Sequence, residues 1–227
     1  RSRAQAFDAA STTATVRIAA SDYLDPLFPP ALVAQIKAAA PGMRIELQAL
    51  SREFDYRRSL AAGEVDLVIG NWLQPPGELH LGRLMADEVV CLVAADHPAA
   101  RTRNPGRDWT VDKYLAAEHV APSALHAGAR GVIDEHLDSQ GLVREIAVRS
   151  AHFGLIPLMV AQSWLVLTTG RLFCSRYADM LPVRIVRCPL EIAEPLADWV
   201  YGNLHTLVMT SATLSVRRKF DYFNARV

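Results

Sequence analysis

The chain has 227 residues, 51% of them hydrophobic, with 24 basic and 24 acidic side chains and a formal net charge of zero. That length supports one large or two small domains with a sizeable core. The charge balance argues against a domain that itself grips nucleic acid, which needs a basic excess on one face. The clusters Arg1/Arg3, Arg57-Arg58 and Arg217-Arg218-Lys219 are short and read as solvated surface.

The first ten residues read as the end of a helix or a linker, broken by Ser11-Thr12-Thr13. A strand is expected over 15–20, then a helix from about 26 to 40, stopped by Pro41-Gly42. Leu24, Phe28, Leu32 and Ile36 give that helix one apolar stripe, with Pro29 and Pro30 near its first turn. Ala31, Ala34 and Ala38 form a second, small-residue face, suited to close packing either within the chain or on another subunit. A strand over 43–49, a helix over 54–62 and a strand ending at Gly70 complete a β-α-β-α-β run. Parallel strands joined by helices gather loops and helix starts at one edge, where small ligands bind.

Beyond a loop over 71–77 with Pro75-Pro76, strands are expected over 79–84 and 88–95, and a boundary over 97–108. The α/β rhythm then restarts. Helices are expected over 111–117, 131–140, 152–162 and 171–180. Strands are expected over 118–121, 144–148, 164–168 and 182–187. Gly141 suits the position just past a helix end. A further strand (198–201) and an amphipathic helix (211–223) would return to the first half. The outline is two Rossmann-like α/β lobes joined by two crossings, near 95–100 and 187–195.

Much chemistry is missing. The seven histidines show no H-x₃-H pair and the three cysteines no C-x₂-C, so no metal or cofactor is expected. Nucleophile elbows, Walker loops and dinucleotide fingerprints are absent too. An acid/base pair of Asp22 and His152 is conceivable, but without a nucleophile the chain is not read as an enzyme. Cys91, Cys174 and Cys188 fit buried thiols in a reducing compartment better than a disulfide framework. No apolar run approaches the roughly 20 residues of a spanning helix, so no membrane contact is expected.

Several stretches, in order, resemble the effector-binding region of LysR-type transcription regulators. They are Val16-Arg17-Ile18-Ala19-Ala20-Ser21 followed by Pro29, then Ala40-Pro41-Gly42-Met43-Arg44-Ile45-Glu46-Leu47. Next come Leu60-Ala61-Ala62-Gly63-Glu64-Val65-Asp66-Leu67-Val68-Ile69-Gly70 and Glu88-Val89-Val90-Cys91-Leu92-Val93-Ala94 before His97-Pro98. The resemblance implies a fold like type II periplasmic binding proteins, with a ligand cleft between the lobes. It divides the chain into the end of a linker helix (1–14), lobe I (15–95 and 196–227) and lobe II (96–195). It also implies a cytoplasmic regulator whose winged helix-turn-helix lies outside this chain, so DNA is contacted only through that absent part. A homodimer or homotetramer is implied, the helix near 25–40 meeting a second-lobe helix of its partner. A solute-binding protein of a transporter is the alternative, and an enzyme on the same scaffold a more distant one.

Ligands of open α/β sheets sit beyond the carboxyl ends of the strands. Those ends supply the candidate ligand-binding residues Ser21, Asp22, Tyr23, Asn71, Trp72, Ser123, His152, Phe153 and Thr168. Ser21 or Asp22 either caps the following helix or meets the ligand. His152 can donate to an anion, and Phe153 can pack on a ligand ring or in the core. Trp72 is either a cleft wall or a lobe-packing residue, and Ser123 and Thr168 either meet the ligand or only satisfy backbone groups. The effector is a small molecule, an organic acid if Asp22 caps the helix. If Asp22 points inward, the ligand carries a donor such as a phenol or amine.

Overall fold

The computed structural model describes residues 8–51, 53–70, 79–80, 82, 84–85, 87–123, 131–190 and 207–210. The first unit is built from β1 (Thr15–Ala20), α1 (Phe28–Ala39), β2 (Arg44–Ala49), α2 (Tyr56–Ala61) and β3 (Leu67–Gly70). The second takes β4 (Val89–Ala94) and the helical turns α3 (Pro98–Arg101) and α4 (Pro105–Asp108). It continues through α5 (Val111–Leu115), β5 (Glu118–Pro122), α6 (Val132–Ser139) and β6 (Glu145–Ser150). A 3₁₀ turn (Phe153–Leu155) leads into α7 (Ile156–Ala161), β7 (Val166–Gly170), α8 (Arg171–Ala178) and β8 (Val183–Arg187). The last described strand, β9 (Leu207–Thr210), belongs to the first unit.

The two sheets have the orders β2-β1-β3-β9 and β6-β5-β7-β4-β8. In the first, β1 pairs in parallel with both β2 and β3, and β9 returns antiparallel to β3. In the second, β5 pairs in parallel with both β6 and β7, and β4 lies antiparallel between β7 and β8. The strand order therefore reverses at β1 in one sheet and at β5 in the other. Such switch points open a crevice at the carboxyl ends of their strands.

Alternation along the strands splits each sheet's apolar contacts between two faces. On β4, Cys91 and Val93 enter one core while Val90 and Leu92 enter the other. On β3, Val68 faces one side, and Leu67 and Ile69 the other. The stripe Leu24, Phe28, Leu32 and Ile36 packs on the Ile18/Ile69 side as its spacing requires, whereas Ala31, Ala34 and Ala38 lie exposed. Gly141 sits at φ +69° after α6, as expected of a glycine closing a helix.

Three expectations are corrected. β4 is a central strand of the second sheet, so the chain crosses between units before Val89, not near 95–100. The reason lies in its neighbours: β4 is flanked by β7 and β8, both far along the chain. Second, α1 starts at Phe28 because the Asp25 carbonyl takes the Phe28 N–H and the Asp25 carboxylate takes the Leu27 N–H, closing a turn first. The prolines then occupy the first helical turn, where an N–H has no intrahelical partner. Neither Ser21 nor Asp22 caps this helix. Third, residues 79–84 hold no strand among those described beyond an isolated bridge at His80. The elements expected over 198–201 and 211–223 fall outside the described residues.

The approach to β4 is pinned to α8. Both carboxylate oxygens of Asp87 accept the Leu172 N–H (3.1 and 3.2 Å), and the Glu88 carbonyl accepts the Arg171 N–H at 2.8 Å. Asp87 thus satisfies a free donor of the first turn of α8. Gly170 leaves the space for it: a Cβ there would collide with the Asp87 carboxylate.

Candidate functional site

The turn after β1 reaches across to the second unit. Ser21 is buried, its N–H donating to the Ile69 carbonyl (2.8 Å) and its Oγ accepting the Tyr23 N–H (3.2 Å). These bonds fold residues 21–25 back over the sheet edge. Tyr23 then donates its hydroxyl to the Ser123 carbonyl at 3.3 Å. Ser21 and Ser123 follow the two switch-point strands, so this bond joins the two crevices. The Tyr23 ring lies 4.6 Å from the Phe153 ring, which contacts Phe173 (4.5 Å), which in turn contacts Tyr177 (4.9 Å). This ladder carries the contact into the core of the second unit, where Phe153 is 2% exposed. Burial, helped by the Asp22 charge, pushes the Tyr23 hydroxyl up to about 12, so it remains a proton donor at neutral pH.

Asp22 extends over the same corner. The Phe153 backbone N–H and the charge of the exposed His152 both favour its ionised form. Desolvation outweighs these interactions and raises its pKa. Three residues on, Asp25 makes a two-pronged pair with Arg176 of α8, Nε–Oδ1 and Nη2–Oδ2 both 3.1 Å. The Arg176 bond holds the Asp25 carboxyl below its ordinary value. On the second unit, the Ser150 hydroxyl accepts the His152 N–H at 3.0 Å, and the Ser150 carbonyl accepts the Ser123 N–H at 2.9 Å.

The structure therefore brings together Ser21, Asp22, Tyr23, Ser123, His152 and Phe153. Thr168 does not join them. It is buried inside the second unit, 2.8 Å from the Tyr114 hydroxyl, because the β7 pleat turns its side chain toward Cys91 and away from the crevice. Asn71 and Trp72 lie outside the described residues. Sequence reasoning missed Asp25, Arg176 and Tyr177. Asp25-Pro26 before a helix read only as a start signal, and nothing local marks an ion pair between residues 151 positions apart.

Thr168 belongs instead to a buried polar chain. The Arg144 guanidinium, with 4% of its side-chain surface exposed, donates to Asp134 Oδ1 (2.7 Å) and to the Tyr114 hydroxyl (3.1 Å). Having accepted from arginine, Tyr114 can give its own proton to Thr168. His119 is fully buried nearby, its Nε2 donating to the Tyr114 carbonyl at 2.7 Å. Desolvation lowers the His119 pKa from 6.5 to about 4. The folded protein thus holds this imidazole neutral where the unfolded chain takes up a proton. Its stabilising contribution is complete above pH 6.5 and declines as pH falls toward 4, by as much as about 3 kcal/mol. Urea unfolding at stepped pH should show that decline in the parent protein and a much flatter profile over the same range in His119→Gln.

Two α/β units, each with its switch point turned toward the other, define a two-lobed ligand-binding module. The chain belongs to the LysR substrate binding domain family, whose model matches residues 9–197. Nodulation protein D 2 of Rhizobium tropici is 28% identical over 195 residues, covering 86% of this chain. This chain spans only 59% of that relative's length. The crystal structure of the probable transcriptional regulator PA0477 from Pseudomonas aeruginosa superposes with a TM-score of 0.74 at 24% identity, over 92% of this chain and 64% of that one. The effector binding domain of QuiR, solved in complex with shikimate, gives 0.65 at 13% identity, over 89% and 88%. At these identities the structural likeness is one of fold. Among the described residues, no helix is long and apolar enough to cross a membrane.

Proposed function

We propose that this chain senses a small-molecule effector for a LysR-type transcription regulator, binding it in the crevice between the units and so controlling the grip of the regulator on DNA. The family match over residues 9–197 is the observation that carries this reading. It favours a regulator over the solute-binding component of a transporter, and regulators over enzymes. The bound shikimate of the QuiR domain supports a small organic molecule as the effector class. DNA contact would come from a part of the protein outside this chain, in keeping with the neutral charge. The exposed Ala31/Ala34/Ala38 face of α1 supports a homodimer or homotetramer formed through that helix.

A crevice ligand can shift regulation only by binding one arrangement of the units better than another. The Tyr23–Ser123, Tyr23–Phe153 and Asp25–Arg176 contacts are the ones such a shift would remake. The test is a gel mobility assay of the full-length protein on its own promoter DNA across a panel of small organic molecules. At least one molecule should change the shift saturably, and Tyr23→Ala should weaken that response. If no molecule alters DNA binding, and Tyr23→Ala leaves regulation in cells untouched, the proposal fails.

A further inference from the structure

Helix α1 is tied at both ends to parts of the molecule outside its own sheet. At its start, one carboxylate serves both units. Asp25 Oδ1 accepts the Leu27 N–H (3.0 Å) and the Arg176 Nε–H (3.1 Å), and Oδ2 accepts from Arg176 Nη2 (3.1 Å). The group that orders the turn into α1 therefore also grips α8 of the second unit. At the other end, Lys37 Nζ donates to the Pro41 and Met43 carbonyls (2.5 and 2.9 Å), fixing the turn that follows the helix. Gly42 in that turn lies against residues 8–14, which lead into β1: a Cβ on it would stand 2.5 Å from the Thr12 carbonyl oxygen. Nearby, the Arg44 N–H donates to the Ala14 carbonyl (2.9 Å) and the Thr12 N–H to the Asp8 carbonyl (3.1 Å). Between these ends α1 runs 12 residues, about 18 Å. None of its residues is fully buried, and it rests on the first sheet by the stripe of Phe28, Leu32 and Ile36. A helix held in this way can slide by shear over its sheet when one end is pulled.

Resting on the sensor reading above, we infer that α1 is a strut that carries movement at the seam between the units to residues 8–14, with Asp25 as its coupling residue and the Gly42–Thr12 contact as its outlet. A ligand that alters the seam changes the pull of Arg176 on Asp25. The helix, stiff along its hydrogen-bonded axis, passes that displacement to the Pro41-Gly42 turn. Gly42 has no side chain, so backbone meets backbone at the outlet and little of the displacement is absorbed. Residues 8–14 lead into the first unit, so a shift there re-aims that unit against the chain before it. The exposed Ala31/Ala34/Ala38 face rides on the same helix, so a second copy seated on it would feel the same movement.

The test is amide-resolved NMR of the 227-residue chain at pH 7, parent and variants, with no ligand added. Arg176→Ala cuts the strut from the second unit by removing a side chain that is 44% exposed, which leaves the core intact. It should shift the Leu27 and Phe28 signals and, about 18 Å away, those of Thr12 and Arg44. Arg171→Ala is the control. Arg171 lies on the same helix but pairs with Glu88, so its loss should leave Thr12 and Arg44 unmoved. Sites this far apart with no shared partner ordinarily act independently. In Gly42→Ala the added Cβ forces the outlet apart, and Arg176→Ala on that background should no longer shift Thr12. Lys37→Met loosens the same end from an exposed position and serves if Gly42→Ala does not fold. Shifts confined to α8 and residues 25–28, equal shifts at Thr12 from Arg176→Ala and Arg171→Ala, or an Arg176→Ala shift at Thr12 undiminished when the outlet is broken overturns the inference. Failure here while the full-length protein still answers a small molecule in the mobility assay removes the strut and leaves the sensor standing. Coupling of Arg176 to Thr12 in a protein whose DNA binding no small molecule alters removes the sensor reading instead.

Discussion

Replacing Arg144 with methionine is expected to lower the unfolding free energy by about 3–5 kcal/mol, the range for breaking a buried ion pair from one side. The guanidinium is almost wholly enclosed and bonds both Asp134 and Tyr114. Without it, the Asp134 carboxylate keeps its desolvation penalty with no counter-charge, and the Tyr114 hydroxyl loses the donor that orders it toward Thr168. Adding Asp134→Leu should recover part of the loss, since removing both partners is far less damaging than removing one. Urea unfolding of the single and double variants measures both effects. A single-variant loss below about 1 kcal/mol, typical of a surface pair, would show that the network is not tight.

Phe153→Ala should be comparably severe, at about 3–5 kcal/mol, the usual range for deleting a buried phenylalanine ring. It should also uncouple the two units. Phe153 is a core residue of the second unit and at the same time the surface on which Tyr23 rests. Phe153→Leu refills most of the volume but not the ring contact, so it should restore stability largely while leaving the effector response weakened. Measuring unfolding and effector response on both variants separates packing from site function. If Phe153→Leu responds as the parent protein does, the Tyr23–Phe153 contact has no part in sensing.

The first unit was legible because its signals are local. The four-residue stripe from Leu24 to Ile36, the Pro41-Gly42 stop after α1 and the apolar β3 each follow from short-range periodicity or helix-stop signals. The assignment of β4 to a sheet was not legible. Val89–Ala94 reads as a buried strand in either unit, and only its pairing with strands 75 to 97 residues further on decides the matter. The same holds within the site. Strand ends were enough to nominate Ser21, Tyr23, Ser123 and Phe153, because the chain must leave the sheet edge there. Thr168 was nominated by the same rule and fails it, because β7 runs on to Gly170 and the hydroxyl lies in the pleat rather than past its end. Asp25 and Arg176 meet only through the tertiary fold, which no local pattern encodes.

Hydrogen–deuterium exchange of the chain, with and without the molecule that switches the full-length protein in the mobility assay, tests the central claim most directly. A ligand held between the units should slow exchange together at the 21–25 turn of the first unit and at Ser123 and residues 150–153 of the second. Protection confined to one unit, or lying away from both of these edges, would contradict a sensor built on their meeting.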